Sequence, residues 1–242
     1  MTRLDIRLLG EFAIFYDGAP ITAINSQRSQ CLLAYLLLHR DAPVARQRLA
    51  VLFWPDSTEA QARSNLRNLL HTLTQALPNG EPFVEADGQT VQWRAAAPYS
   101  LDVDDLLAAL DKAQSAEDLR RALEFYRGPL VPSCYDDWIL PFREQLEQKV
   151  GDVLQCFIDR WEKQGAYRDA ITFAQQLVRR DPLREDLFRQ IMRLCALSGD
   201  RAGIARTYKE CREVLRRDLD VEPSRQTLEA YEKYCRFDPP AA

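Results

Sequence analysis

The side chains at 63, 64, 67, 68, 71 and 75 are of the types that hydrogen-bond nucleic acids. Arginine forks to guanine or phosphate, asparagine and glutamine pair with adenine, and serine and histidine reach either. Ser64, Arg67, Asn68, His71 and Gln75 share one side of the stretch Glu59–Leu77, EAQARSNLRNLLHTLTQAL, with Arg63 on its flank. At about 100° per residue, the opposite side collects Ala62, Leu66, Leu69, Leu70, Leu73 and Leu77. That spacing predicts an amphipathic helix with its apolar stripe inward. Ser57 or Thr58 can cap its start, and Pro78-Asn79-Gly80 ends it. Its single carboxylate, Glu59, sits in the first turn, where the helix dipole favours it. The polar face would also suit plain solvation. Its surroundings favour the first reading.

Leu4, Ile6 and Leu8 alternate with polar residues, and Phe12, Ile14 and Tyr16 repeat the pattern before Asp17-Gly18. These predict a hairpin, with Ala19-Pro20-Ile21 as a short third strand. Arg28–His39 is a strongly apolar helix capped by Asn25 or Ser26, and Arg46–Phe53 a short helix stopped by Trp54-Pro55. Pro82–Arg94 reads as a second hairpin, turned at Asp87-Gly88 with Val91 and Trp93 inward. The order is strands, three helices, hairpin.

The 242 residues allow one large domain or two ordinary ones. Residues 1–97 hold nine Arg and nine Asp/Glu, while residues 98–242 hold 23 basic and 27 acidic residues. The net charge of −4 therefore belongs to the second half, and the neutral first half can hold DNA only where its arginines cluster. No apolar run approaches the ~20 residues of a membrane span, and the N-terminus carries no signal-peptide pattern. The six cysteines form no CxxC pair and read as buried free thiols of a reducing cytosol, with no metal site. No phosphate-binding glycine loop, HExxH or GxSxG occurs, and Asp104-Asp105 and Asp136-Asp137, at i and i+1, point apart on a helix. Trp54, Trp138 and Trp161 read as core anchors. An enzyme has no residues to stand on, and no cofactor is expected.

After Ala95-Ala96-Ala97-Pro98, which reads as a linker, helical patterns follow almost without strand signal. They cover Asp102–Leu110, Glu117–Tyr126, Trp138–Gln164, Tyr167–Arg179, Arg184–Leu197, Arg201–Asp218 and Ser224–Tyr234. Gly165 and Gly199 stand 34 residues apart, each closing one helix before the next, the period of tetratricopeptide pairs.

On LLGEF (8–12), RSQCLLAYLLLHRDAPVARQRLAVLFWP (28–55) and ARSNLRNLLHTLTQAL (62–77), residues 4–96 resemble the OmpR/PhoB-type winged helix. On RGPLVPSCYDDWILPFREQLE, GAYRDAITFAQQLVRRDPLREDLFRQIMRL and YKECREVLRRDLDVEPSRQTLEAY, residues 100–237 resemble the bacterial transcriptional activator domain of SARP and AfsR-type regulators. The resemblance implies a mostly α chain: a winged-helix α+β domain over 1–97, then an all-α tetratricopeptide-like array over 98–242. It further implies a cytoplasmic transcription activator that binds direct repeats of double-stranded promoter DNA. Its array would contact RNA polymerase or a second protomer, with no membrane involved.

On that reading Ser64, Arg67, Asn68 and His71 enter the major groove, and Arg28, Arg46 and Arg63 anchor phosphates. The C-terminal half of the third helix departs from the group, with Asn68, His71, Thr72, Thr74 and Gln75 where others carry Arg or Lys. The alternative is an interaction scaffold, or a sensor module of a larger regulator, that does not bind DNA. Relatives often continue into an NTPase module, so the chain is either a short regulator or a fragment of a longer one.

Overall fold

The computed structural model describes residues 3–78 and 83–237. The expected helix stop at Asn79-Gly80, the hairpin start at Pro82 and the terminal Asp238-Pro239-Pro240 lie outside the described residues. The chain forms two compact units, Met1–Gln145 and Leu146–Ala242.

In the first unit β1 (Leu4–Arg7) pairs antiparallel with β2 (Ala13–Tyr16), which pairs with β3 (Ala19–Pro20). Leu4, Ile6 and Ile14 are buried, as the alternation requires. Helix α1 (Gln27–Leu38) is buried at every position from Cys31 to Leu37, which makes it the central rod of the unit. Ser26 caps it by accepting from the Ser29 amide. A two-residue strand, β4 (Val44–Ala45), leads directly into α2 (Arg46–Phe53), and α3 (Glu59–Ala76) follows with Thr58 as its cap. The hairpin of β5 (Val84–Ala86) and β6 (Thr90–Trp93) joins β4 in a second sheet of order β4-β6-β5. Val91 and Trp93 both point inward. Strand β4 has too few residues to show any period and is absent from the sequence reading.

The stretch Ala95–Pro98 is not a free linker. Leu4 donates its amide to the Pro98 carbonyl at 3.0 Å, and Ala97 is buried. Strand β7 (Tyr99–Leu101) then adds to β1 in parallel, extending the first sheet to β3-β2-β1-β7. It runs straight into α4 (Asp102–Lys112), where the buried Asp102 carboxylate accepts from the amides of Leu8 and Leu9 at 2.9 Å each. Helix α5 (Ala116–Leu123) starts with a capping box between Ser115 and Asp118. The following loop lies against the end of β1, with Gly10 donating to the Pro129 carbonyl and Val131 to the Leu8 carbonyl. A Cβ on Gly10 would meet the Arg127 carbonyl oxygen at 2.9 Å, and one on Gly128 would meet the Gly10 Cα at 3.0 Å. Compact packing thus runs past the expected boundary at 97/98 to residue 145.

A single 3-10 turn, Asp137–Ile139, precedes α6 (Leu140–Lys163), where the pattern predicts one continuous helix from Trp138. Trp138 lies edge-on to Tyr35, which stacks on His39 at 3.9 Å, and Phe142 meets the same histidine edge-on. Burial holds the His39 imidazole below its ordinary value of 6.5, against its hydrogen bond to the Tyr35 carbonyl and with the charge of Arg48 adding to the drop. A depressed folded value favours the neutral ring, so this contribution is complete above pH 6.5 and is lost as the pH falls below it. The melting temperature is expected to drop less between pH 8 and pH 5 in His39→Phe than in the parent, as calorimetry would read directly.

The second unit comprises the remainder of α6 with α7 (Tyr167–Arg180), α8 (Glu185–Leu197), α9 (Arg201–Leu219) and α10 (Arg225–Cys235). Trp161 stacks on Phe173 at 5.0 Å, and Arg193 pairs with Glu162 at 2.6 Å, joining α6 to α7 and to α8. Gly165 and Gly199 take φ of +73° and +77° at corresponding helix ends. Ser224 donates from both its amide and its hydroxyl to Glu185, which ties the start of α10 to α8. No helix among the described residues is long and apolar enough to cross a membrane.

Four cysteines, at 31, 134, 195 and 211, are buried, but Cys156 and Cys235 are exposed, contrary to a uniformly buried set. Cys156 lies on the solvent side of α6, a placement that helical spacing around it did not reveal. Burial pushes the Cys195 and Cys211 thiols up to about 11 and about 12, so both stay protonated at neutral pH.

Candidate nucleic-acid interface

Helix α3 turns Ala62, Leu66, Leu70 and Leu73 into the core, with Leu69 half-buried at the edge of the stripe. Arg63, Arg67, Asn68, His71 and Gln75 are exposed on the other side, and Ser64 is half-buried beside them. The face is built as its period requires.

Three of the expected arginines converge. Arg46, Arg63 and Arg67 line one concave pocket of about 660 Å³, together with Ala45, Gln47, Leu66, Gly88 and Gln89. Arg46 opens α2, at the positive end of the helix dipole. Its amide donates to the Gln89 carbonyl at 2.8 Å and its guanidinium to the Asp87 carbonyl at 2.7 Å, so the hairpin turn is held against α2. Asp87 shapes that turn by accepting from the amides of Gln89 and Thr90 and from the Thr90 hydroxyl, and these bonds hold its carboxyl below the usual range. Glu59 bridges the two helices, accepting from Gln47 at 3.3 Å and pairing with Arg63 at 2.5 Å. An exposed pair of this kind is weak, and an anionic ligand can draw the guanidinium away from it. Sequence reasoning missed Gln47 and Gln89, because only the turn Asp87-Gly88 between two short strands hinted that this loop reaches α2.

Ser64, Asn68 and His71 continue the face along α3 outside that pocket. Arg28 stands elsewhere. Its guanidinium donates to both Asp136 oxygens at 3.2 and 3.1 Å and lies over the Phe53 ring. It does not line the arginine pocket, and its partner, 108 residues away, could not be read from the sequence. If the groove holds DNA phosphates, removing Arg46 or Arg63 should flatten the log–log salt dependence of binding by about one unit each. Arg28→Ala should leave that slope at the parent value. Anisotropy titrations at four salt concentrations would expose any departure from this order.

A groove lined by arginines and amides, beside a helix with a solvated polar face, suits a polyanion. The bacterial transcriptional activator domain family matches residues 97–233, more than half of the chain, and the chain belongs to that family. This is a family of transcription regulators, not of enzymes. The chain is 28% identical over 245 residues to the regulatory protein AfsR of Streptomyces coelicolor, covering 97% of this chain and 24% of AfsR. It is 26% identical over 255 residues to the transcriptional regulatory protein EmbR of Mycobacterium tuberculosis, covering 98% of this chain and 64% of EmbR. The chain thus spans about a quarter of the first relative and under two thirds of the second. The structure of EmbR in complex with a low-affinity phosphopeptide superposes on the whole of this chain and on 67% of its own, with a TM-score of 0.71 at 21% identity. That likeness shows a shared fold.

Proposed function

We propose that the chain is a DNA-binding transcription activator that acts in the cytoplasm. Strands, α1 to α3 and the β5–β6 hairpin act as a winged helix, with α3 in the major groove and the hairpin as the wing. The observation that carries this reading is the convergence of Arg46, Arg63 and Arg67 on one pocket beside the exposed row Arg67, Asn68 and His71. Arg46 and Arg63 hold phosphates there, while Ser64, Arg67, Asn68 and His71 face base edges. The helices from residue 98 onward act as a tetratricopeptide-like array. Their acidic balance turns them away from DNA and toward protein, either RNA polymerase or a second protomer on a neighbouring direct repeat.

Fluorescence anisotropy with duplexes tiled across the region upstream of the chain's own gene tests the first half of the proposal. One duplex is expected to bind well above the others at physiological salt. Equal, weak binding to all of them, or none, would favour the interaction scaffold instead. In vitro transcription with the full chain at matched promoter occupancy then tests activation.

A further inference from the structure

Cys31 on α1 and Cys134 in the loop before α6 are 103 residues apart in sequence but meet inside the first unit. Their sulfurs and a carboxylate oxygen of Asp136 all lie within 4.8 Å of one another. Cys31 is 1% and Cys134 0% exposed. We propose that these three side chains form a binding site for a thiophilic divalent cation of the zinc class, with a water as fourth ligand.

The donor set suits that ion. Two thiolates and a carboxylate are zinc ligands, and bond lengths near 2.3 Å to sulfur and 2.0–2.2 Å to oxygen put tetrahedral ligand atoms roughly 3.5–3.8 Å apart. The thiols need close by only about an ångström from the upper bound of the observed spacing. Soft sulfur donors select against magnesium and calcium.

The surroundings suit it as well. The two thiol protons leave to solvent on binding, so the ligands carry three negative charges against two on the ion. Arg28, bonded to both oxygens of Asp136, balances the remaining one. Trp138 also donates to that carboxylate, at 3.4 Å. Ligating carboxylates are commonly held by such outer partners. Arg143 fixes the loop itself by donating to the carbonyls of Leu130, Val131 and Cys134.

Cobalt(II) is the probe. The full chain, reduced and stripped with a chelator, is expected to take up one equivalent. Thiolate-to-cobalt absorption should appear in the near ultraviolet, with the strong visible bands of a four-coordinate ion, and one equivalent of zinc should bleach both. Cys31→Ser, Cys31→Ala and Cys134→Ser should lose the bands. The exposed-thiol double variant Cys156→Ser/Cys235→Ser should keep them, and Arg28→Ala should bind about 10–100-fold more weakly. A reduced parent chain without these bands overturns the site, whatever the variants do. So do bands that survive in Cys31→Ala and vanish in the exposed-thiol variant. A pair that closes to a disulfide in air, and binds no cobalt when reduced, overturns it too.

Discussion

Asp102→Ala is expected to lower the stability of the first unit by about 2–6 kcal/mol, because it strips the partner from two buried amides at roughly 1–3 kcal/mol each. Those amides, of Leu8 and Leu9, end the first strand, and the carboxylate that receives them opens α4. Asp102→Asn keeps one acceptor oxygen and should lose about half as much. Burial pushes the Asp102 carboxyl above its ordinary 3.8, outweighing the Leu8, Leu9 and Val103 amides and Arg127, which pull it down. A raised folded value means the ionised form weighs against folding. The contribution of Asp102 is therefore largest below pH 3.8 and declines as the pH rises through the folded value. Urea titrations followed by tryptophan fluorescence measure this. In a Trp161→Phe background the signal comes from Trp54, Trp93 and Trp138, all within the first unit. A midpoint unchanged in Asp102→Ala would show that the two amides find other partners.

The second large effect falls on recognition. Arg67→Ala should weaken binding to the preferred duplex by about 1–3 kcal/mol, roughly 5- to 150-fold, if its fork grips a guanine. Binding to a scrambled duplex should fall much less. Arg67 both lines the arginine pocket and belongs to the exposed row proposed to face bases, so its substitution separates the two roles. An equal loss on both duplexes would reassign it to a phosphate. Wild-type affinity in both Arg67→Ala and Asn68→Ala would remove α3 from the groove altogether.

Much of this candidate interface is legible before any coordinates. The face of α3 follows from a period of 3.6, and the turn at Asp87-Gly88 from the conformations those residues tolerate. Burial of Val91 and Trp93 follows from alternation. What escapes is whatever depends on partners distant in sequence. Arg28 has the same local look as Arg46, yet one is claimed by Asp136 and the other by a hairpin turn. Cys31 sits in a helix pattern that says nothing of Cys134. Tyr99–Leu101 resembles the start of a new segment because a three-residue strand carries no period, and only its pairing with β1 shows where it belongs.

The contact of Gly10 with Gly128 bears on how the protein is made. Ribosomes deliver about 5–20 residues per second, so roughly 2–7 s separate the emergence of residue 97 from that of Val131, whose amide closes against Leu8. Through that interval the Gly10 amide waits without the Pro129 carbonyl and the Leu8 carbonyl without the Val131 amide, so the end of the first strand stays open. Bare strand edges invite other chains. A bulky residue at either glycine would lengthen the wait, since the two backbones could no longer touch. A graft that joins residues 1–97 to a foreign helical part would make it permanent, leaving the recipient with an unfinished sheet rather than a portable DNA-reading module.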